Sequence, residues 1–390
     1  MHDGKLKPSD LNGDLLTTIL GDLKGSMKTG YGDSFLDYTA NAKSKLQLKQ
    51  NLYRFSGAKT FQELAKINYF LGNNKSFPDF KKEALKVNQE YNVQYLENEF
   101  VTANRSGAMA EKWQKINDQK VLYPNLKYKT VKDNRVREEH RQLHDVIKPI
   151  DDAFWDKWYP PNGWRCRCYV TQTDEPATPG TATGEPTPGF HGHVGKSNMT
   201  FNEEEHPYFI FPAADAKKIK ASFENLKLAE PDYNLVHTNK KAELEVSTWA
   251  DPYDIEINHK YAKTLVDELG VSVKIKAHSE FIKDRKNPEY EINGLNSDLK
   301  SIQSVKGITN GFDAAKTQMG IGKNHYSVVF NLDNLKKVKL ADITKQLSNK
   351  FSATRGKNID RVFFIRKGKA VELTRDNILK KEYKALEAML

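Results

Sequence analysis

Two carboxylates and an ammonium group stand close together in the C-terminal third of this 390-residue chain. Glu289 precedes a short strand-like run, Asn293-Gly294 is a strong hairpin turn signal, and Asp298 and Lys300 lie on the strand that returns. Because side chains two residues apart leave the same face of a strand, Asp298 and Lys300 should point the same way. Phosphodiester cleavage by a metal-bound hydroxide needs carboxylates around a divalent cation and a positive group near the scissile phosphate. The pattern therefore predicts that Glu289 and Asp298 hold Mg²⁺ or another divalent cation and that Lys300 stabilises phosphate charge.

Four potential zinc ligands form a second group. His140 and His144 are four residues apart, so on a helix they would share one face, and Cys166 and Cys168 follow in one short segment. Together they would make a tetrahedral Zn²⁺ site that is closed and structural rather than catalytic. The one-residue spacing of the cysteines is poorly suited to a structural disulfide. The alternative is that both thiols are reduced and buried among neighbouring aromatic side chains: Trp155, Trp158 and Trp164.

An alternation of helices and strands must position the carboxylates. The predicted order is a helix over 257–269, strands over 271–276, 290–292 and 297–302, a helix over 312–319, a strand over 326–331, a helix over 343–348 and a final hairpin over 361–373. Such alternation is typical of an α/β domain, here of about 140 residues. Residues 10–120 instead carry apolar side chains at three- and four-residue spacing, which predicts a mostly helical region.

The segment around the cysteines points to a family. Three elements follow one another: Arg137-x-x-His140, Pro160-Pro161 and Cys166-Arg167-Cys168. With them, about residues 50–230 resemble the phage head morphogenesis family, the minor capsid proteins similar to the Mu F protein. The resemblance implies a protein present in a few copies near the portal, with portal or capsid proteins as partners.

The C-terminal layout resembles a second family. Its elements are a helix, a strand, Pro288-Glu289, Asp298-x-Lys300 and a helix that ends in Ala315-x-x-Gln318. This order resembles the PD-(D/E)xK nuclease superfamily, and residues 250–385 look most like the tRNase toxin domain at the C-termini of contact-dependent inhibition (CdiA) proteins. The resemblance implies a toxin that cuts tRNA with a divalent metal and an immunity protein that protects its maker. It also implies that Gln318 orients the attacking water or binds a phosphate oxygen.

A further acid comes from the helix before the first strand in that toxin family. Glu256 lies off the apolar face of the corresponding helix here, and His259 is the better placed alternative, so we expect His259 to complete the site. Acid–base chemistry by His278 and His325 would be a metal-free alternative.

The charge of the chain is uneven. From Val236 onward there are 28 Lys and Arg against 20 Asp and Glu, a net of +8 out of the formal +10. A concentrated positive balance suits a polyanion such as nucleic acid. The N-terminal residues lack the apolar region of a secretory signal, and no run of 18 apolar residues offers a membrane span. We therefore expect a virion-associated protein or one in the bacterial cytoplasm, with no membrane partner.

These observations predict a multidomain chain. Residues 1–172 form a mostly α phage-head module with an irregular Cys/His segment, 173–189 a Pro/Gly/Thr-rich linker or surface loop, 190–235 the end of the module and a connector, and 236–390 an α/β PD-(D/E)xK-like nuclease domain. Residues 1–235 supply no nucleophile with a base, phosphate loop or paired acids, which favours a structural role.

We expect a phage-derived minor head protein that carries a metal-dependent endonuclease toxin, with tRNA or other RNA favoured over DNA. The alternative is a non-enzymatic head-completion protein whose basic C-terminal domain binds nucleic acid or a capsid partner without cutting.

Overall fold

A computed structural model describes residues 8–73, 76–180, 182–229, 232–279, 286–319 and 324–390 of the chain. The chain divides into two compact units. The first contains the residues up to Phe35 and Ser44–Leu226, and the second contains Leu36–Lys43 and Lys227–Leu390. In the described part of the chain, none of the helices has the length and apolar character needed to cross a membrane.

Helices dominate the N-terminal part of the chain, as the apolar spacing predicted. Their bounds are α1 Gly13–Tyr31, α2 Ala42–Asn73, α3 Phe77–Gln89, α4 Leu96–Asp118, α5 Glu138–Arg141, α6 Phe154–Trp158, α7 Val194–Ser197 and α8 Ala213–Ala229. A π-type segment, Glu90–Tyr95, joins α3 to α4. Three antiparallel strands form a small sheet of order β2-β1-β3: β1 Asn125–Lys129, β2 Ile147–Pro149 and β3 Tyr169–Thr173.

Glycine allows α1 and α4 to pack with their backbones close together. A Cβ atom added at Gly30 would lie 1.8 Å from the carbonyl oxygen of Asn104, and one added at Gly107 would lie 2.5 Å from that of Met27. Both distances are far below van der Waals contact, so neither position accepts a side chain without moving a helix.

The Pro/Gly/Thr-rich segment 173–189 runs along the surface of the first unit. The backbone N–H of Thr178 donates to Ile147 O at 2.9 Å, and that of Thr187 donates to Asn162 O at 3.1 Å. The Gln142 side-chain amide donates to Thr183 O at 2.8 Å. These bonds describe a surface loop attached at several points, one of the two forms expected for this segment.

The second unit is built on an eight-stranded mixed sheet. Its strands are β4 Tyr233–Asn239, β5 Ala242–Ser247, β6 Val273–Ile275, β7 Tyr290–Ile292, β8 Leu295–Ser301, β9 Tyr326–Asn331, β10 Ile359–Arg366 and β11 Lys369–Thr374. They lie in chain order across the sheet. The pairs β5/β6, β8/β9 and β9/β10 are parallel and the others antiparallel. The helices are α9 Ile255–Leu269, α10 Gly307–Met319, α11 Leu340–Lys350, α12 Arg375–Lys380 and α13 Lys384–Met389.

The two faces of this sheet are covered by different helices. On the face of Lys300, α10 packs close, because a Cβ atom at Gly311 would lie 2.5 Å from the Phe330 ring and 3.4 Å from Lys300 Cγ. Buried apolar residues of α10, α11 and β9 to β11 form one core there. On the other face the Tyr290 hydroxyl donates to Asn258 O of α9 at 2.8 Å. Because α9 contacts β4 to β6 and also β10 and β11, the sheet curls around it.

The predicted division into an N-terminal helical region and a C-terminal region of mixed helices and strands is therefore confirmed. The bounds of β7 and β9 match the prediction, whereas the β4–β5 hairpin and the helices α12 and α13 were not predicted. A register shift between Leu235 and His237 interrupts β4, which hides its alternation in the sequence. The predicted start of the C-terminal domain at residue 236 falls inside β4.

Candidate functional sites

The β7–β8 hairpin aligns the two predicted carboxylates. Its turn residues Asn293 and Gly294 have positive φ angles of 46° and 83°, as the Asn-Gly signal predicted. Tyr290 pairs with Ser297 across the hairpin. The next antiparallel position outward therefore sets Glu289 opposite Asp298, on the same face of the sheet.

The three predicted groups lie together. The Lys300 ammonium nitrogen is 2.6 Å from Asp298 Oδ2, with the Asp298 side chain fully buried and that of Lys300 20% exposed. Glu289 Oε2 accepts a hydrogen bond from the backbone N–H of Leu299 at 3.2 Å. The arrangement joins two carboxylates and one cation at the edge of a buried environment.

Burial gives this group unusual electrostatics. It raises the pKa of Glu289 from 4.5 to about 8, helped by hydrogen bonding and charge repulsion from Asp298 and opposed by Lys300. Two neighbouring carboxylates in a buried setting do not both stay ionised unless a cation compensates them; otherwise one of them keeps a proton. The pair can therefore exchange a bound proton for a divalent cation.

Tyr326 is a neighbour that the sequence did not reveal. It lies on β9 two residues before Val328, which pairs with Asp298, and thus on the same face. Burial, then the charges of Asp313 and Asp298, raise the pKa of Tyr326 to about 12, so its hydroxyl stays protonated. In the sequence, an aromatic residue at the start of a strand does not indicate that it lies beside a carboxylate pair.

Two other predicted site residues, Gln318 and His259, lie on helices rather than on the β7–β8 hairpin. Gln318 is half-buried on the face of α10 that carries Gly311, two turns further along. Within the described residues no hydrogen bond joins Gln318 to Glu289, Asp298 or Lys300. His259 is buried in α9, with its ring centre 6.0 Å from that of Tyr38.

The helix α9 covers the sheet face opposite to the carboxylates, so the structure does not bring His259 to the pair as predicted. Glu256 on the same helix is exposed.

The metal-free alternative is contradicted by the topology. His278 follows the end of β6, whereas His325 precedes the start of β9 and lies 2.6 Å from Asp360. The two strands run in the same direction and are three positions apart in the sheet, so the histidines lie at opposite strand ends, separated sideways by about 14 Å. They cannot act as one acid–base pair.

Three of the four potential zinc ligands form a buried cluster. Cys166 Sγ lies 3.8 Å and Cys168 Sγ 3.7 Å from His140 Nδ1, and the three ligand atoms lie within 4.8 Å of one another. A tetrahedral zinc site with bonds of about 2.3 Å to sulfur and 2.0 Å to nitrogen has edges of about 3.5–3.8 Å. Both cysteines are free thiols. The cluster therefore has the donor set and spacing to bind a metal ion.

The prediction that His144 is the fourth ligand is wrong. α5 ends at Arg141, so the four-residue spacing does not put both histidines on one helix face. His144 Nδ1 instead accepts from the Thr130 backbone N–H at 3.0 Å, and its Nε2 lies 3.2 Å from Asp145. Burial lowers the pKa of His144.

Neighbouring hydrogen bonds favour a thiolate at one of the two cysteines. A hydrogen bond from the Cys168 thiol, followed by interactions with His140, holds the pKa of Cys166 well below its usual range, whereas the same hydrogen bond and burial raise the pKa of Cys168. The Tyr128 hydroxyl accepts from the Asn162 amide at 3.0 Å and hydrogen-bonds the Cys168 sulfur. Tyr128 and Asn162 are both fully buried, so they hold the Cys168 side chain in place. Neither was predicted from the sequence.

Known proteins match two parts of the chain. Among solved structures, the CdiA-CT/CdiI toxin and immunity complex from Burkholderia pseudomallei matches 31% of this chain and 85% of that one, at 21% identity and a TM-score of 0.23. The expected likeness to a CdiA toxin is thus found again, at a score that does not establish a shared fold.

The N-terminal matches are closer in sequence. The chain is 53% identical over 49 residues to the putative capsid assembly protein F of Escherichia phage Mu, and 36% identical over 75 residues to the Mu-like prophage FluMu F protein of Haemophilus influenzae. These matches cover 13% and 19% of this chain, which spans only 11% and 17% of the relatives' lengths. The model of the Phage Mu protein F like family matches residues 76–171. The predicted resemblance to this phage head family is therefore confirmed for the segment that contains the His/Cys cluster.

Proposed function

We propose that the second unit is a metal-dependent nuclease of the PD-(D/E)xK type that acts on RNA, with tRNA as the favoured substrate. The observation that carries the proposal is the fully buried Asp298 carboxylate, set opposite Glu289 and 2.6 Å from the Lys300 ammonium. A buried acid pair is costly to stability, and a bound cation would offset that cost.

Each group has a role that its chemistry suits. Glu289 and Asp298 would hold a divalent cation, which supplies Lewis-acid polarisation of the phosphate and an activated water. Lys300 would release Asp298 to the cation and place its ammonium group against a phosphate oxygen. Gln318 would position the water through its amide.

The charge distribution supports a nucleic-acid substrate. The net charge of +8 from Val236 onward favours approach of a polyanion to the second unit. An acidic immunity protein would suit the same basic unit, so we propose such a partner for the cell that makes the protein.

We further propose that the first unit associates with a phage head. Its match to the Phage Mu protein F like family supports portal or capsid proteins as partners and a virion-associated location.

The nuclease proposal is tested with the purified full chain and total tRNA, in Mg²⁺ or in EDTA. The wild type should cleave only with Mg²⁺, and Asp298→Asn and Lys300→Ala should each reduce the rate by about 10²-fold or more. Lys380→Ala is the matched control, because Lys380 forms a similar 2.7 Å pair with Asp376 on an exposed helix face. The proposal fails if the wild type cleaves neither RNA nor DNA, or if Lys300→Ala cleaves as well as the control. RNA binding without cleavage would favour the non-enzymatic alternative.

For the first unit we propose a structural zinc ion bound by His140, Cys166 and Cys168. The spacing of these residues fits the edges of a tetrahedral site. Their nitrogen and sulfur donor atoms favour zinc over the harder cations, which prefer oxygen ligands. Metal analysis of the purified full chain should find one zinc per chain, and Cys166→Ser should lose it. Less than stoichiometric zinc in the wild type would remove the proposal.

A further inference from the structure

The His/Cys cluster provides three ligands, whereas protein zinc sites have four. In the part of the chain that the structure describes, no fourth histidine, cysteine or carboxylate joins this group. His144, the candidate from the sequence, is bound to Thr130 instead. A zinc ion held here would thus keep one coordination position for a group from outside these residues.

That position adjoins a small cavity. The cavity has a volume of about 20 Å³ and is lined by His140, Cys166 and Cys168 themselves. This is close to the space that one water-sized group requires. The remaining lining consists of two valines and four arginines: Val131, Val136, Arg135, Arg137, Arg165 and Arg167.

Most of these arginines are held in place. Arg167 makes two 2.7 Å hydrogen bonds to the Asp133 carboxylate, and Arg165 lies 3.1 Å from Glu97. Arg137 donates to Trp164 O at 2.8 Å, a neutral acceptor, and among the described residues no carboxylate pairs with it. Arg135 is exposed at the rim.

The charges determine which ligand suits the position. A zinc ion with two thiolates and a neutral histidine has no net charge, so it would not compensate the charges of Arg135 and Arg137. The other two arginines already pair with carboxylates. An anionic fourth ligand would gain from both the metal and the arginines. A small anion also fits the cavity.

We infer that the fourth position of this cluster is open to solvent and takes a small inorganic monoanion bound through one atom, favoured by the arginines that line the cavity. The inference rests on the proposed metal site. It distinguishes the cluster from a closed structural site, in which protein side chains occupy all four positions.

The test uses the full chain loaded with Co²⁺, whose visible bands report the coordination of a tetrahedral thiolate site, and sodium azide as the probe anion at constant ionic strength. We expect the bands to shift saturably with azide. Arg135→Gln should weaken the azide affinity several-fold, because it removes a positive charge from the lining of the cavity. Arg135 is exposed, so it can be replaced without unfolding the chain. Arg141→Gln is the control, since Arg141 is a comparable surface arginine paired with Glu138 and does not line the cavity.

The outcomes separate the inference from the proposal beneath it. One equivalent of Co²⁺ with thiolate bands that azide never shifts would show a closed site and overturn the inference alone. Azide binding that is equal in Arg135→Gln and wild type would overturn the role of the arginines. Failure to bind Co²⁺ or Zn²⁺ at all would end both the zinc site and the inference.

Discussion

At the scale of single residues, the buried carboxylate pair lowers the stability of the fold when both acids are ionised and no metal is bound. Asp298 is fully buried, and the pKa of Glu289 is raised to about 8. A raised folded-state pKa means that the folded chain binds a proton more tightly than the unfolded chain does. Ionisation of Glu289 at higher pH therefore works against folding when no metal is bound.

Replacing Glu289 should remove this penalty. In EDTA, the stability of the wild type should fall as the pH rises from about 4.5 to about 8, whereas Glu289→Gln should lack this loss and become more stable than the wild type by about 3 kcal/mol at pH 8. Urea unfolding at pH 5 and pH 8 measures the difference. Glu291→Gln is the control, because Glu291 lies on the same strand face and is partly exposed beside Lys276. An equal effect of Glu289→Gln at both pH values would contradict the prediction.

The two histidines near the cysteines should behave differently. His140→Ala removes a ligand atom and should lower the bound zinc to well below one per chain, whereas His144→Ala should retain it, because His144 contacts Thr130 and Asp145 instead. Metal content after dialysis measures both variants. Zinc loss in His144→Ala with the fold intact would show that His144 belongs to the site.

At this scale the sequence was a good guide where the spacing rule was local. The period of two along a strand and the Asn293-Gly294 turn were sufficient to bring Asp298, Lys300 and Glu289 together. The prediction that His140 and His144 share a helix face was wrong, because it requires a helix that reaches residue 144. The helix α5 has only one turn and ends at Arg141. Tyr128 and Asn162 reach the cysteines through tertiary packing, which no local pattern encodes.

At the scale of elements, close helix packing in the first unit depends on glycine. Gly30 and Gly107 leave room for the backbone of the opposite helix, so α1 and α4 meet without side chains between them at these positions. Helical periodicity predicted that these helices exist. It could not predict which glycines are contact sites, because Gly21 in α1 looks the same in the sequence yet has no atom within 4 Å of its Cβ position.

Gly107→Ala should therefore destabilise the first unit by about 2 kcal/mol or more through overpacking against Met27 O. Gly21→Ala is the matched control and should stabilise α1 by up to about 1 kcal/mol, because alanine is the better helix former. Thermal unfolding of both variants provides the comparison. A Gly107→Ala variant as stable as the wild type would show that α1 and α4 pack less closely than described.

At the scale of the whole molecule, the second compact unit is not a continuous stretch of chain. It includes Leu36–Lys43, nearly two hundred residues before the rest of the unit at Lys227. Within this segment Tyr38 is fully buried, next to the His259 ring. Composition and motif spacing predicted a C-terminal domain that begins near residue 236 and could not predict the early segment, which carries no motif.

Tyr38→Ala in the full chain should therefore destabilise the second unit rather than the first. We expect a loss of about 3 kcal/mol, typical of removing a large buried aromatic side chain. Hydrogen exchange should accelerate in β4 to β11 and stay unchanged in α1 and α4. Tyr253→Ala is the control, since its side chain is 75% exposed. Faster exchange confined to the first unit would contradict the division of the chain.

The consecutive strand order of the second unit affects how it can be taken apart. Every strand lies beside its neighbours in the sequence, so β11 to β4 can be peeled off one after another without any strand sliding out from between two others. Tension on the C-terminus would meet a series of small barriers rather than one large one. The same order lets the sheet rebuild strand by strand from either end, with short loop closures at three of the seven steps: β4/β5, β7/β8 and β10/β11.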